Sequence, residues 1–150
     1  MLKGHSNLRK GRFSESGRIY LVTATTNDRT PIFSDPKYAI PTCRFFTKPT
    51  SLLGNSLLSW VLMPDHIHWL IELGENGDLS KTIQLLKSGS ARIIRERGYG
   101  NKVWAPAFHD RAIRKDEDLK QAARYIVANP LRAGLVKRLG DYPYWDAVWL

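Results

Sequence analysis

Residues 56–73 read SLLSWVLM, then Pro64-Asp65, then HIHWLIEL. The first eight are a nearly unbroken apolar run, and the last eight are apolar except for His66, His68 and Glu72. Pro64-Asp65 supplies turn chemistry, because proline fixes φ and aspartate hydrogen-bonds its own backbone. The stretch predicts two antiparallel strands joined tightly. Side chains alternate along a strand, so His66 and His68 share a face, with Cα atoms about 7 Å apart from two rises of ~3.4 Å. Ile67 points to the opposite, buried face.

The neighbouring segments extend this pair into a fold. Residues 18–27, RIYLVTATTN, are rich in β-branched residues and predict a strand. Pro36, Pro41 and Pro49 punctuate the next stretch. A helix there must start at a proline or stop before one, and a short helix is expected over 38–47. Leu79, Ile83, Leu86, Ser90 and Ile93 recur at helical spacing, with Asp78 as N-cap and Gly98 as stop. Gly89 inside that helix costs about 1 kcal/mol relative to alanine. Residues 107–114, AFHDRAIR, predict a fourth strand. Asp116-Glu117-Asp118 place negative charge at the start of a helix over 117–129, where the dipole favours it. Leu119, Ala122, Ala123 and Ile126 form its apolar stripe, and Pro130 ends or restarts it. The tail, DYPYWDAVWL, is expected to pack as an aromatic strap. The order β-α-β-β-α-β, with a helix after it, predicts an α+β fold: a ferredoxin-like, RRM-like antiparallel sheet with helices packed on it.

The chain's 150 residues predict a single domain over 1–150, with a basic N-terminal arm (1–17) and an aromatic C-terminal tail (138–150). Cys43 is the only cysteine, which excludes an internal disulfide and a Cys-rich zinc site. No stretch approaches the ~20 apolar residues of a membrane span, and the polar, basic start carries no signal-peptide pattern. The expectation is a soluble, cytoplasmic protein without a membrane partner. Lys plus Arg number 23 against 14 Asp plus Glu, a net charge of +9, which favours nucleic acid as partner.

That surplus is unevenly placed. Residues 1–18 hold five basic and one acidic residue, and residues 87–115 hold eight and two. Residues 19–86 hold five and six, and residues 116–150 five and five. Arg9, Lys10 and Arg12, together with Lys87, Arg92, Arg95, His109, Arg111 and Arg114, are therefore the candidates for holding a nucleic-acid backbone.

The near-neutral segments carry the candidate chemistry. Two imidazoles on one strand face can converge on a divalent ion. The same spacing also suits a half-buried pair with hydrogen-bonded rings, and both readings stand. Leu70, where a third histidine would stand, excludes nucleotide hydrolysis of the histidine-triad kind. Tyr125 falls about 110° from the centre of its helix's apolar stripe and Asn129 about 70°, so both sit on the stripe's shoulder. Periodicity alone reads Tyr125 as an amphipathic boundary residue and Asn129 as an N-cap before Pro130. The sharper reading makes Tyr125 a nucleophile. A phenol ionises only near pH 10, so this needs a cation or a strong electrophile beside it.

Met63-Pro64-Asp65-His66-Ile67-His68-Trp69-Leu70 resembles the HUH motif (His, hydrophobic, His) of single-strand endonucleases. The segment from Tyr125 through Asn129-Pro130-Leu131-Arg132-Ala133-Gly134 to Val136 resembles the tyrosine segment of the REP-associated tyrosine transposases. Gly11-Arg12-Phe13-Ser14, Gly17, Tyr20, Val22 and Thr23 resemble that family's N-terminal entry. The resemblance runs from about residue 10 to the end, and two motifs in the right order make it specific.

The resemblance implies a prokaryotic enzyme that cuts and rejoins single-stranded DNA at hairpins, the repetitive extragenic palindromes, through a covalent phosphotyrosine link. It implies Tyr125 as nucleophile, His66 and His68 as metal ligands, Asn129 as third ligand, and Mg²⁺ or Mn²⁺ as the ion. Two departures stand out. His109-Asp110-Arg111 replaces a Tyr-Asp-His-like segment, and the tail Tyr142-Pro143-Tyr144-Trp145-Asp146 lacks a serine pair. A non-catalytic nucleic-acid-binding module and a domesticated host genome-maintenance factor remain alternatives, as do monomer and homodimer.

Overall fold

The structure, a computed structural model, describes residues 17–114 and 116–148. The expected hairpin is β2 (Ser56–Met63) and β3 (His66–Glu72). They pair antiparallel, with Met63 opposite His66 and a register shift between Leu57 and Ser59. The Pro64-Asp65 turn is held by the segment that leaves β1 (Ile19–Thr25). Thr26 donates its N–H to the Asp65 carbonyl and shares its hydroxyl between the Thr30 and Asp65 carbonyls, and the Phe33 N–H donates to the Pro64 carbonyl. These bonds fix where β3 begins, and so where His66 stands.

β1 lies between β3 and β4 (His109–Ile113), and the sheet order is β4-β1-β3-β2 followed by a fifth strand, β5 (Trp145–Ala147), all neighbours antiparallel. The first four strands have the expected ferredoxin-like order. The fifth corrects the expectation of a strap: Trp145–Ala147 is β5, paired with β2 through Ser59, Trp60 and Val61. The outer edge of β2 would otherwise carry unpaired backbone groups, and the tail satisfies them. Tyr142 anchors it by donating its hydroxyl to the Leu62 carbonyl.

Helices cover both faces. α1 (Pro36–Phe46) starts at a proline with Asp35 as N-cap, and α2 (Leu79–Glu96) is capped by Asp78. α1 runs through Pro41, as the expected span of 38–47 does, but begins two residues earlier and ends one residue earlier than expected. Both helices pack on the face made by Tyr20, Val22, Trp69 and Ile71. The cost assigned to Gly89 has a reason here: a Cβ would clash with the Cζ edge of the Phe45 ring of α1. Ser90 sits in α2's apolar stripe because its hydroxyl bonds the Leu86 carbonyl and accepts from Trp104 Nε1.

α3 (Asp116–Val127) packs on the other face, with Ala122, Ala123 and Ile126 against Leu21, Val61 and Leu70. It ends two residues earlier than expected. The chain breaks at Ala128 and restarts as the short α4 (Asn129–Arg132). This second face is the one that His66 and His68 share, as the alternation Leu70, His68, His66 along β3 requires.

Candidate functional site

β3 presents the two histidines, and α3 sets Tyr125 against His68. The His66 and His68 rings lie 5.0 Å apart between centroids. His68 meets the Tyr125 ring at 6.4 Å, edge to face. Three candidate residues from segments far apart in sequence are thus brought together.

Each imidazole is oriented through one nitrogen. Thr23 stands opposite His68 in the β1–β3 register, and its Oγ1 is 2.7 Å from His68 Nδ1. His66 Nδ1 lies 2.8 Å from Asp65 Oδ1. An ionised carboxylate only accepts, so His66 Nδ1 carries the proton there, and a neutral ring offers Nε2 as its lone pair. Asp65 is held in turn by Arg29 Nε at 3.0 Å. Two successive residues in the left-handed region, Asp28 (φ 56°) and Arg29 (φ 54°), turn the chain to bring that guanidinium across. Burial opposes charge on Asp65, but hydrogen bonds from His66 and Arg29 outweigh it and hold its pKa below the usual carboxylate value. His68 is 9% exposed. Burial, with His66 and Arg132 nearby, pushes its pKa down to about 4, so the ring is neutral at pH 7. A neutral imidazole with one nitrogen already oriented is the form that ligates a metal.

Asn129 corrects one expectation. It does not cap the turn that follows it, since that position belongs to Ala128. Its Nδ2 points back to the carbonyls of Ile126 (3.0 Å) and Tyr125 (3.4 Å). Oδ1 is the end left over as an acceptor. No group of three or more His, Cys, Asp or Glu gathers among the described residues.

The basic candidates divide between the two faces. His109 and Arg111 stand on β4 opposite Thr23 and Leu21, which places them on the face of His68 at the edge of the sheet. Arg114 follows, exposed. Lys87, Arg92 and Arg95 are on α2, across the sheet. Lys87 donates to the carbonyls of Ala105 and Ala107, and burial, with Lys102 nearby, lowers its pKa. It and Arg95 line a cleft of about 450 Å³ beneath the 102–108 loop. Arg9, Lys10 and Arg12 lie outside the described residues, as does the Gly11–Ser14 part of the resemblance.

Four contributors have no role assigned by the sequence, although Thr23, Asp65 and Arg132 stand in the segments that carry the resemblance. Thr23 could have been found from strand alternation alone, had the β1–β3 register been known. Asp65 reads as a turn residue beside the His-Ile-His pair, with no sign of its bond to His66. Arg29 and Arg132 carry no local signal, because their partners belong to other elements.

Residues 15–129 match the family described as transposase IS200 like. The chain is 31% identical over 88 residues to a REP-associated tyrosine transposase of Escherichia coli, covering 57% of this chain and 50% of that protein. A Haemophilus influenzae protein provisionally given the same name is 33% identical over 94 residues, covering 55% and 53%. The chain thus spans about half the length of the curated relatives it matches. Among solved structures, a REP-associated tyrosine transposase bound to a REP hairpin has the same fold, with a TM-score of 0.68. It is 23% identical, and the alignment covers 89% of this chain and 79% of that one. The chain belongs to the IS200-like transposase family and is similar to its REP-associated tyrosine transposases.

Proposed function

We propose that the chain cuts and rejoins single-stranded DNA at hairpin-containing sequences, with Tyr125 as nucleophile. The meeting of His68 and Tyr125, from a strand and a helix that cover one another, carries the reading. Family membership supports a transposase, and the hairpin bound to the structural relative supports the kind of DNA.

Tyr125 Oη attacks the phosphorus of a phosphodiester, forming a new O–P bond as one sugar oxygen departs. The phenol's proton ends on that oxygen, giving a free hydroxyl end. The phosphotyrosine link keeps the phosphodiester's energy, so a hydroxyl end can attack it and rejoin the strand without ATP. His66 and His68, through Nε2, and Asn129, through Oδ1, would hold a divalent cation, Mg²⁺ or Mn²⁺. When bound, such an ion neutralises and polarises the phosphate. The chain fits it: both Nδ1 atoms are committed elsewhere, His68 is neutral, and the Asn129 amide already turns its nitrogen away. Asp65 and Thr23 keep the rings in place. His109, Arg111 and Arg114, with Arg9, Lys10 and Arg12 of the N-terminal arm, would hold the backbone of the bound strand.

The test is a labelled hairpin oligonucleotide incubated with the protein and Mg²⁺ or Mn²⁺. A denaturation-resistant adduct is expected, and it should vanish in Tyr125→Phe. An adduct that survives Tyr125→Phe, or none from the native chain with either metal, refutes the reading. Salt-sensitive hairpin binding that ignores both EDTA and Tyr125→Phe would point instead to a non-catalytic binding module.

A further inference from the structure

Pro130 has no N–H to offer the Ile126 carbonyl one turn back, so the α3 ladder cannot continue. Two side chains of α4 supply the missing donors. Asn129 Nδ2 donates to Ile126 O at 3.0 Å, and Arg132 Nη2 donates to Tyr125 O at 2.7 Å. The same guanidinium lies over the Tyr125 ring, with its Cζ 4.1 Å from the centroid. Arg132 makes no ion pair with a carboxylate among the described residues, so its charge is directed at that ring and that carbonyl.

Tyr125 is 53% exposed, so core packing does not choose its rotamer. An exposed side chain of this kind samples several staggered wells. The ring is instead flanked by the guanidinium on one side and His68 on another.

We infer that Arg132 is the positioning residue for Tyr125, gripping its carbonyl and its ring together and so holding the phenol beside His68. The inference rests on the reading of Tyr125 as nucleophile for its consequence, but not for its geometry. The task suits arginine in particular. A planar fork can donate along its edge and stack with its face at once, whereas a lysine ammonium is a point charge that cannot do both.

Two variants and two readouts test it. Arg132→Lys keeps the charge, and Arg132→Gln keeps a donor for the Tyr125 carbonyl. In the full chain, Tyr125 ring signals are assigned by difference from Tyr125→Phe, and nuclear Overhauser contacts to His68 and Arg132 are measured. The native chain should show both contacts, and both variants should lose the contact to His68 while melting as the native chain does. Single-turnover adduct formation on the hairpin oligonucleotide should slow by on the order of 10²-fold, with the Kd for that oligonucleotide unchanged. A purely structural role would not separate rate from binding in this way. A Tyr125 ring that stays beside His68 in both variants overturns the inference, and so does a native adduct rate in both. If the native chain forms no adduct, the nucleophile reading fails, and the ring contacts alone decide the role of Arg132.

Discussion

Exchanging Asn129 for aspartate separates two tasks given to one amide. Nδ2 caps the end of α3, with a good hydrogen bond to Ile126 O at 3.0 Å and a long one to Tyr125 O at 3.4 Å. Oδ1 is the proposed ligand atom. In Asn129→Asp an oxygen replaces Nδ2 and faces two carbonyl oxygens. The lost hydrogen bond costs about 1 kcal/mol. A negative charge at a helix C-terminus costs roughly 0.3–1 kcal/mol more. The site is partly open to solvent, so screening holds the second figure to about 0.5 kcal/mol. Together these give about 1.5 kcal/mol for Asn129→Asp and about 1 kcal/mol for Asn129→Ala, which loses the bond without gaining the charge. The less conservative exchange is thus the milder one. For a chain of this size, 1 kcal/mol moves Tm by about 2–4 °C, so Asn129→Asp should melt about 3–6 °C lower in EDTA. Adding Mn²⁺ should reverse the order, because a carboxylate is a stronger ligand than an amide for a hard cation. Urea unfolding in EDTA and in Mn²⁺ measures both effects. Asn129→Ala as stable as the native chain in EDTA would remove the cap, and Mn²⁺ that stabilises neither the native chain nor Asn129→Asp would remove the ligand.

Gly89→Ala should destabilise the fold by about 1 kcal/mol, since displacing the Phe45 ring costs about 1–3 kcal/mol and the gain in helix propensity returns only about 1. Urea denaturation checks the sign, and in a Phe45→Ala background the same exchange should become stabilising. Thr23→Val removes the hydrogen-bond partner of His68 Nδ1 at nearly constant volume and should weaken Mn²⁺ binding about 10–100-fold by calorimetry. Equal affinity in the two proteins would exclude Thr23 from the site's support. Arg111→Ala, on the face of His68, should weaken hairpin binding and lower its salt slope by about 0.7–0.9, while Arg92→Ala across the sheet should do neither. Equal losses would show that the bound strand reaches both faces. Neutralising Arg9, Lys10 and Arg12 together should flatten the salt dependence further, and identical binding curves at low and high salt would rule the arm out as a backbone contact.

Much of the scaffold was legible because its signals are local. Two apolar runs around Pro64-Asp65 make a hairpin wherever the chain goes, and alternation then puts His66 and His68 on one face. The stripe of α3 likewise places Tyr125 on a shoulder, and the exposure observed there agrees. Local signals failed where an element is shorter than its own period. β5 spans three residues, too few for alternation to show, and it forms because the β2 edge needs partners. The break at Ala128 was half visible in Pro130. Its consequence was not: two orphaned carbonyls draw Asn129 and Arg132 back onto the residue they serve.

Local pattern alone therefore specifies the first four strands, the three longer helices and the shared face of the two histidines, because periods of two and 3.6 residues depend only on backbone geometry. Which helix covers which face was decided by the tertiary structure. α3 lands over His68 because strand pairing sets β3 beside β1 and β2, leaving one face to α1 and α2 and the other to α3. The same layering parts the basic residues of β4 from those of α2, although one charge-rich segment of sequence holds both. Charge counted along the chain has no face. It acquires one only when hydrogen-bonded strands fix which side of the sheet each residue occupies.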